Sequence, residues 1–127
     1  MQSRFTNKVA FVTGGGSGIG AATAQRLAKE GATVIICGRR QAPLDNVVAA
    51  ITSAGGKAFA VQADVSNEAA FVSAIETTAK VHGGLDIMVN NAMAFSYGSI
   101  TDTSTEEWHS NFTTSVDGTF WGTRTAM

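Results

Sequence analysis

The sequence has one cysteine, Cys37, in 127 residues, so it can form no internal disulfide and no cysteine-based metal cluster. Proline is just as scarce: Pro43 stands alone, and no Pro/Ser-rich stretch marks a linker between domains. Charged residues make up 15% of the chain, against roughly 25% in an average globular protein, and the net charge is −1. Without a basic surplus there is no electrostatic footprint for nucleic acid, and no block of like charge suggests a solvated tail. Long apolar runs are missing too. Those present are strand-sized, far short of the roughly 20 residues a membrane helix needs. The opening MQSRFTNK lacks the apolar stretch of a secretory leader, so a reducing, cytoplasmic setting is expected. In that setting Cys37, inside the run TVIIC, reads as a small buried hydrophobe and not as a reactive thiol.

What the chain does have is glycine, 14 of them, and a regular alternation of short apolar runs with amphipathic stretches. Lys8 to Thr13 (KVAFVT) predicts a short buried strand. The following IGAATAQRLAKEG carries Ala21, Ala24, Leu27 and Ala28 at helical spacing, and Gly31 stands where a helix-ending glycine belongs. Ala32 to Cys37 predicts a second strand, without the polar alternation of a solvent-facing one. Leu44, Val47, Val48 and Ile51 mark a second helix, ended by Gly55 and Gly56, and Lys57 to Gln62 predicts a third strand. Ser66 is the expected cap of a third helix carrying Phe71, Ile75 and Ala79, which stops at Gly83 and Gly84. Leu85 to Asn90 predicts a fourth strand. Ser104 and Glu107 have the spacing of a capping box and start a last helix that runs towards Met127. Strand and helix in this alternation predict an α/β fold: one doubly wound parallel sheet spanning residues 1–127, helices on both faces, strand order 3-2-1-4.

Five of the glycines fall in eight residues, in TGGGSGIG from Thr13 to Gly20. Such a run carries an entropic cost, because glycine loses more freedom on folding than any other residue. Its place accounts for it. In a sheet of this kind the ligand sits beyond the carboxyl ends of the strands, where strand order reverses, and TGGGSGIG joins the first strand to the first helix there. Gly14 can make the tight turn, Gly18 can let backbone approach a pyrophosphate, and Gly20 can let the helix pack closely. The free N–H groups at the helix start then face the anion. A Walker loop is excluded, since Ala21 and Ala22 follow Gly20 where Lys and Ser/Thr are required.

The spacing T-G-x-x-x-G-I-G, together with NNA at Asn90 to Ala92, Asp64–Val65 after the third strand and EEW…GTF from Glu106 to Phe120, resembles the short-chain dehydrogenase/reductase family. The resemblance spans almost the whole chain. It implies an NAD(P)-dependent oxidoreductase that moves a hydride between the cofactor and a small alcohol or carbonyl compound, working as a homo-oligomer, a dimer or tetramer. It implies a cofactor site of Gly14, Gly16, Ser17, Gly18, Ile19 and Gly20 in the loop, with Asp64 on the adenine amino group and Val65 near the ring. Asn91, Ala92 and Met93 would line the nicotinamide ribose, and Asn90 would tie neighbouring strands together. No metal site is implied.

The second strand ends in Gly38 where NAD-selective members carry an acidic residue for the ribose 2′-hydroxyl. Arg39 follows and can pair with a 2′-phosphate, with Arg40 beside it, so the pattern resembles NADP-preferring members. Ser17 stands where some of those carry a second basic residue, and an arginine can also stack on adenine, which keeps NAD open.

Family members move the accompanying proton with a tyrosine, a lysine four residues later and a serine, helped by an asparagine in the fourth helix. Here the only tyrosine is Tyr97, and the fourth residue after it is Thr101. Tyr97 falls too early for the catalytic role and belongs at the substrate mouth or on the surface. His82 and His109 have no partner pattern and are expected on the surface. Counting from Trp108, the asparagine position falls on Ser115, and Met93 replaces the usual glycine of NNAG. The Ser/Tyr/Lys set thus belongs to a carboxyl-terminal half that these residues do not contain, and the 127-residue chain alone is expected to be inactive. A non-catalytic nucleotide-binding or regulatory fragment is the alternative. A methyltransferase is disfavoured, because it too needs an acidic residue after the second strand.

Overall fold

The computed structural model describes residues 3–127. Four strands, β1 (Val9–Thr13), β2 (Thr33–Gly38), β3 (Lys57–Gln62) and β4 (Ile87–Val89), form one parallel sheet in the order β3-β2-β1-β4. The helices are α1 (Gly18–Lys29), α2 (Gln41–Ser53), α3 (Glu68–His82), α4 (Thr105–Phe112) and α5 (Gly118–Ala126).

Alternation along the central strands sends side chains to two separate cores. Ala10, Val12, Val34 and Ile36 meet Ala24, Ala28, Leu44, Val47 and Ile51 of α1 and α2. On the other face Phe11, Ile35 and Cys37 meet Phe71, Ala74 and Ile75 of α3, with Trp121 of α5 packed alongside. The apolar positions read from the sequence at helical spacing seat α1 and α2 on the sheet, as Phe71 and Ile75 do for α3, whereas Ala79 belongs to neither core. Burying a leucine- or phenylalanine-sized side chain contributes about 1.5–3 kcal/mol, so the two cores dominate the stability of the unit. β1, central and buried at every residue, pairs Phe11 with Ile35 on one side and Met88 on the other.

Four local expectations are corrected. The fourth strand spans only Ile87–Val89 and is half-buried, because among the described residues it pairs with β1 alone. The cap of α3 is Asn67, whose side chain accepts from the Ala70 N–H, because the Ser66 hydroxyl is committed to Asp64 instead. His82 is partly covered, its ring 5.0 Å from that of Phe59 between centroids, whereas His109 is exposed. The last helix is not continuous: its capping box at Ser104 and Glu107 is present, but a π-helical turn, Thr113–Asp117, separates α4 from α5. The interruption falls on TTSVD, where β-branched residues disfavour helix. The hydroxyls of Thr113, in this turn, and of Thr119, at the start of α5, donate to the carbonyls of His109 and Ser115 four residues back, a pattern that bends helices.

At the opposite end of the sheet from the glycine loop, the chain leading into β1 is tied to the end of α1. Arg4 and Arg26 both donate to the buried Glu30 carboxylate, and their hydrogen bonds hold its pKa down at about 2.

Candidate functional site

Because the strands are parallel, all four carboxyl ends reach the same rim of the sheet, and a cleft of about 500 Å³ opens there. That volume is ordinary for a small-molecule site. Its floor and walls come from the segments that leave each strand.

The segment after β1 supplies Gly14, Gly16, Ser17, Gly18 and Ile19. Gly18, at the start of α1, has a φ of +52°, which side-chain-bearing residues avoid, and a Cβ built on it would meet nothing within 4 Å. The space in front of it is open cleft, so a side chain there would occupy room that a ligand can use. Gly20 differs: it is buried behind the loop, outside the cleft lining, and a Cβ on it would lie 2.1 Å from the Gly14 carbonyl oxygen. It allows the first turn of α1 to lie against the loop. Ser17 precedes α1 without capping it, and no acidic residue stands in the first turn. Among the described residues, the N–H groups of Gly18, Ile19 and Gly20 have no acceptor. Unpaired donors at the positive end of a helix, beside the open space in front of Gly18, suit an anion of the pyrophosphate type.

Arg39 and Arg40 follow β2 at the cleft rim, and neither is paired with a carboxylate among the described residues. The Arg39 carbonyl accepts from Gln62 Nε2 (3.0 Å), which anchors this turn to the end of β3. After β3, Asp64 and Val65 line the cleft, and Asp64 Oδ1 accepts from both the N–H (2.9 Å) and the hydroxyl (2.7 Å) of Ser66.

After β4 the cleft is lined by Asn91, Ala92 and Met93. The strand-tying role expected of Asn90 falls to its neighbour. Asn91 Nδ2 donates to the carbonyls of Thr13 (3.2 Å) and Gly14 (3.4 Å), whereas Asn90 turns to α5 and donates to Thr123 Oγ1 (3.1 Å). The pleat explains the exchange, since consecutive residues point to opposite faces. Ser115 is outside the cleft lining; its hydroxyl accepts from Ala94 N (3.2 Å) and donates to Ala94 O (3.3 Å), pinning the segment after β4 to the π-helical turn. Tyr97 is 93% exposed and lies outside the cleft, in edge contact with Phe95.

Sequence reasoning missed Thr13 as a participant. It is the last residue of β1, and its Oγ1 accepts from the N–H groups of Asn91 and Ala92, both at 2.9 Å. One hydroxyl thereby couples the segments leaving β1 and β4. A polar residue ending an otherwise apolar buried strand was the available signal. Ser110 and Thr114, on the cleft side of the last helix, were also missed, and no local pattern distinguishes them. Cys37 lies at the base of the cleft, and burial pushes its thiol up to about 12, so it is not a nucleophile. No group of three potential metal ligands occurs among the described residues, and none of their helices is long and apolar enough to cross a membrane.

A family model described as short chain dehydrogenase matches residues 8–127. The chain belongs to the short-chain dehydrogenase family. Among curated members of the short-chain dehydrogenases and their relatives, it is 42% identical over 125 residues to an uncharacterized oxidoreductase of Methylorubrum extorquens, covering 98% of this chain and 50% of that protein. It is 40% identical over 124 residues to an NADP-dependent (R)-specific alcohol dehydrogenase of Lentilactobacillus kefiri, covering 98% of this chain and 49% of that one. A short chain dehydrogenase from Burkholderia cenocepacia, solved in complex with NADP, superimposes with a TM-score of 0.92 at 40% identity, over 97% of this chain and 51% of that structure. The chain spans about half the length of these relatives.

Proposed function

We propose that this chain is the cofactor-binding part of an NADP-dependent short-chain dehydrogenase/reductase, acting on a small alcohol or carbonyl substrate. The observation that carries the reading is the glycine cradle: three unpaired N–H groups at the start of α1, open space in front of Gly18, and a cleft at the switch point of a parallel sheet. When bound, the nicotinamide would accept or supply a hydride. The residues of this chain would do the holding. The N–H groups of Gly18 and Ile19, which line the cleft, would donate to the pyrophosphate. Arg39, with Arg40 beside it, would hold a ribose 2′-phosphate, and Gly38 supplies no carboxylate to repel it. Asp64 would accept from the adenine amino group, Val65 would pack near the ring, and Asn91, Ala92 and Met93 would line the nicotinamide ribose. Ser115 would serve through the position it gives that segment, since its hydroxyl donates its one proton to the Ala94 carbonyl and accepts from the Ala94 N–H.

That relatives carry names of dehydrogenases and oxidoreductases favours an enzyme over a non-catalytic module. The proton-transferring set is assigned to none of these residues, as Tyr97 has no lysine partner four positions on. The same reading makes the protein a cytoplasmic homo-oligomer. Trp108, Phe112, Val116 and Phe120, spaced by four along α4, the π turn and α5, are each about half exposed and support self-association through that face.

The test is Gly18→Val, titrated with NADPH by calorimetry. A branched side chain would fill the cradle and also oppose the positive φ, so binding is expected to vanish while far-ultraviolet circular dichroism stays native. A folded variant that binds NADPH like the parent would refute this placement of the phosphates.

A further inference from the structure

We infer that Ser66 is a positioning residue that fixes the nucleobase preference of the cleft by locking the Asp64 carboxylate; this rests on the nucleotide reading above. Both donors of Ser66, the N–H at 2.9 Å and the hydroxyl at 2.7 Å, converge on one oxygen, Asp64 Oδ1. The Asp64 carbonyl is engaged as well, accepting from the Asn67 N–H at 3.0 Å. Backbone and side chain of Asp64 are therefore held in one turn immediately before α3. Among the described residues, Oδ2 has no donor, and Asp64 and Ser66 both line the cleft. A carboxylate whose Oδ1 is clamped presents Oδ2 in a single direction, as a pure acceptor. A purine carrying an exocyclic amino group can donate to it. A 6-oxo purine presents an oxygen in the same place and meets repulsion. With the hydroxyl removed, one N–H remains on Oδ1, the carboxylate gains rotational freedom, and the preference weakens. The serine also explains the cap of α3: its hydroxyl serves Asp64, and Asn67 takes the helix end.

The experiment measures the ratio of affinities for NADPH and its hypoxanthine analogue in the parent chain, Ser66→Ala and Ser66→Thr. The parent is expected to prefer the adenine form, Ser66→Ala to lose about two- to tenfold of that preference, and Ser66→Thr, which keeps the hydroxyl, to restore it. If Ser66→Ala leaves the ratio unchanged, or weakens both nucleotides equally, the positioning role is wrong while the adenine assignment stands. If the parent itself shows no preference, the assignment of Asp64 to the base falls, and the role of Ser66 with it.

Discussion

Replacing Thr13 by valine keeps the shape of a β-branched side chain and deletes one acceptor, which isolates what the hydroxyl contributes. Thr13 is 2% exposed at the end of β1, and its Oγ1 accepts from Asn91 N and Ala92 N, each at 2.9 Å. It also donates to the Val89 carbonyl at 3.4 Å, a long and weak bond whose loss matters less. Valine therefore strands the Ala92 N–H, while the Asn91 N–H keeps a second acceptor, the Val89 carbonyl at 3.1 Å. An unsatisfied buried donor costs about 1–3 kcal/mol. Ala92 is half-buried, so water can reach part of that surface and the lower end of the range applies. The expected loss, about 1–2 kcal/mol, is a sizeable share of the 5–15 kcal/mol typical of a whole domain. Thr13→Ser keeps the acceptor and loses one methyl, worth about 0.8 kcal/mol. Urea unfolding measures both, provided the slopes agree with the parent, and amide hydrogen exchange reads the two N–H groups directly. Exchange at Ala92 should accelerate in Thr13→Val, with a smaller rise at Asn91, and both should stay near the parent in Thr13→Ser. A valine variant within about 0.5 kcal/mol of the parent, with unchanged exchange at those amides, would refute the coupling of β1 to β4 through this hydroxyl.

Two further outcomes follow from features away from the cleft. Arg4, then Arg26, hold the Glu30 carboxylate at about 2 against an ordinary 4.5, so the stability it contributes is complete above about pH 4.5 and is lost as pH falls towards 2. The urea midpoint of Glu30→Gln should change less across that window than the parent's, and identical acid sensitivity would remove Glu30 from the account. Light scattering should find the parent as a dimer or tetramer and a Trp108→Glu, Phe120→Glu double variant as a smaller species; a monodisperse parent monomer would contradict the assignment of that face.

Legibility in the sequence followed how local each cause is. Phe71 and Ile75, or Leu44, Val47 and Ile51, announce their faces because burial and helical period are written in neighbouring residues. TGGGSGIG could be placed because its backbone demands are met by one residue type in one short segment. The choice between Asn90 and Asn91 was not legible, since it depends on the pleat phase at which β4 meets β1. Nor was the use of Ser66, which satisfies both cap and turn patterns and is decided by the reach of Asp64. The interruption at Thr113–Asp117 had a sequence cause in its β-branched residues, but its position reflects a distant contact, the grip of Ser115 on Ala94. Thr13 escaped notice for a similar reason: its partners lie 78 and 79 positions away.

On the proposed reading the cleft holds a nicotinamide dinucleotide carrying a 2′-phosphate, and parallel calorimetric titrations with NADPH and NADH decide it. NADPH should bind more tightly, with Arg39→Ala removing most of the difference; losing charge-assisted hydrogen bonds there should cost about 1.5–3 kcal/mol, roughly ten- to a hundredfold in affinity. Equal affinities of the parent for the two dinucleotides, or a preference for NADPH that survives Arg39→Ala intact, would contradict it.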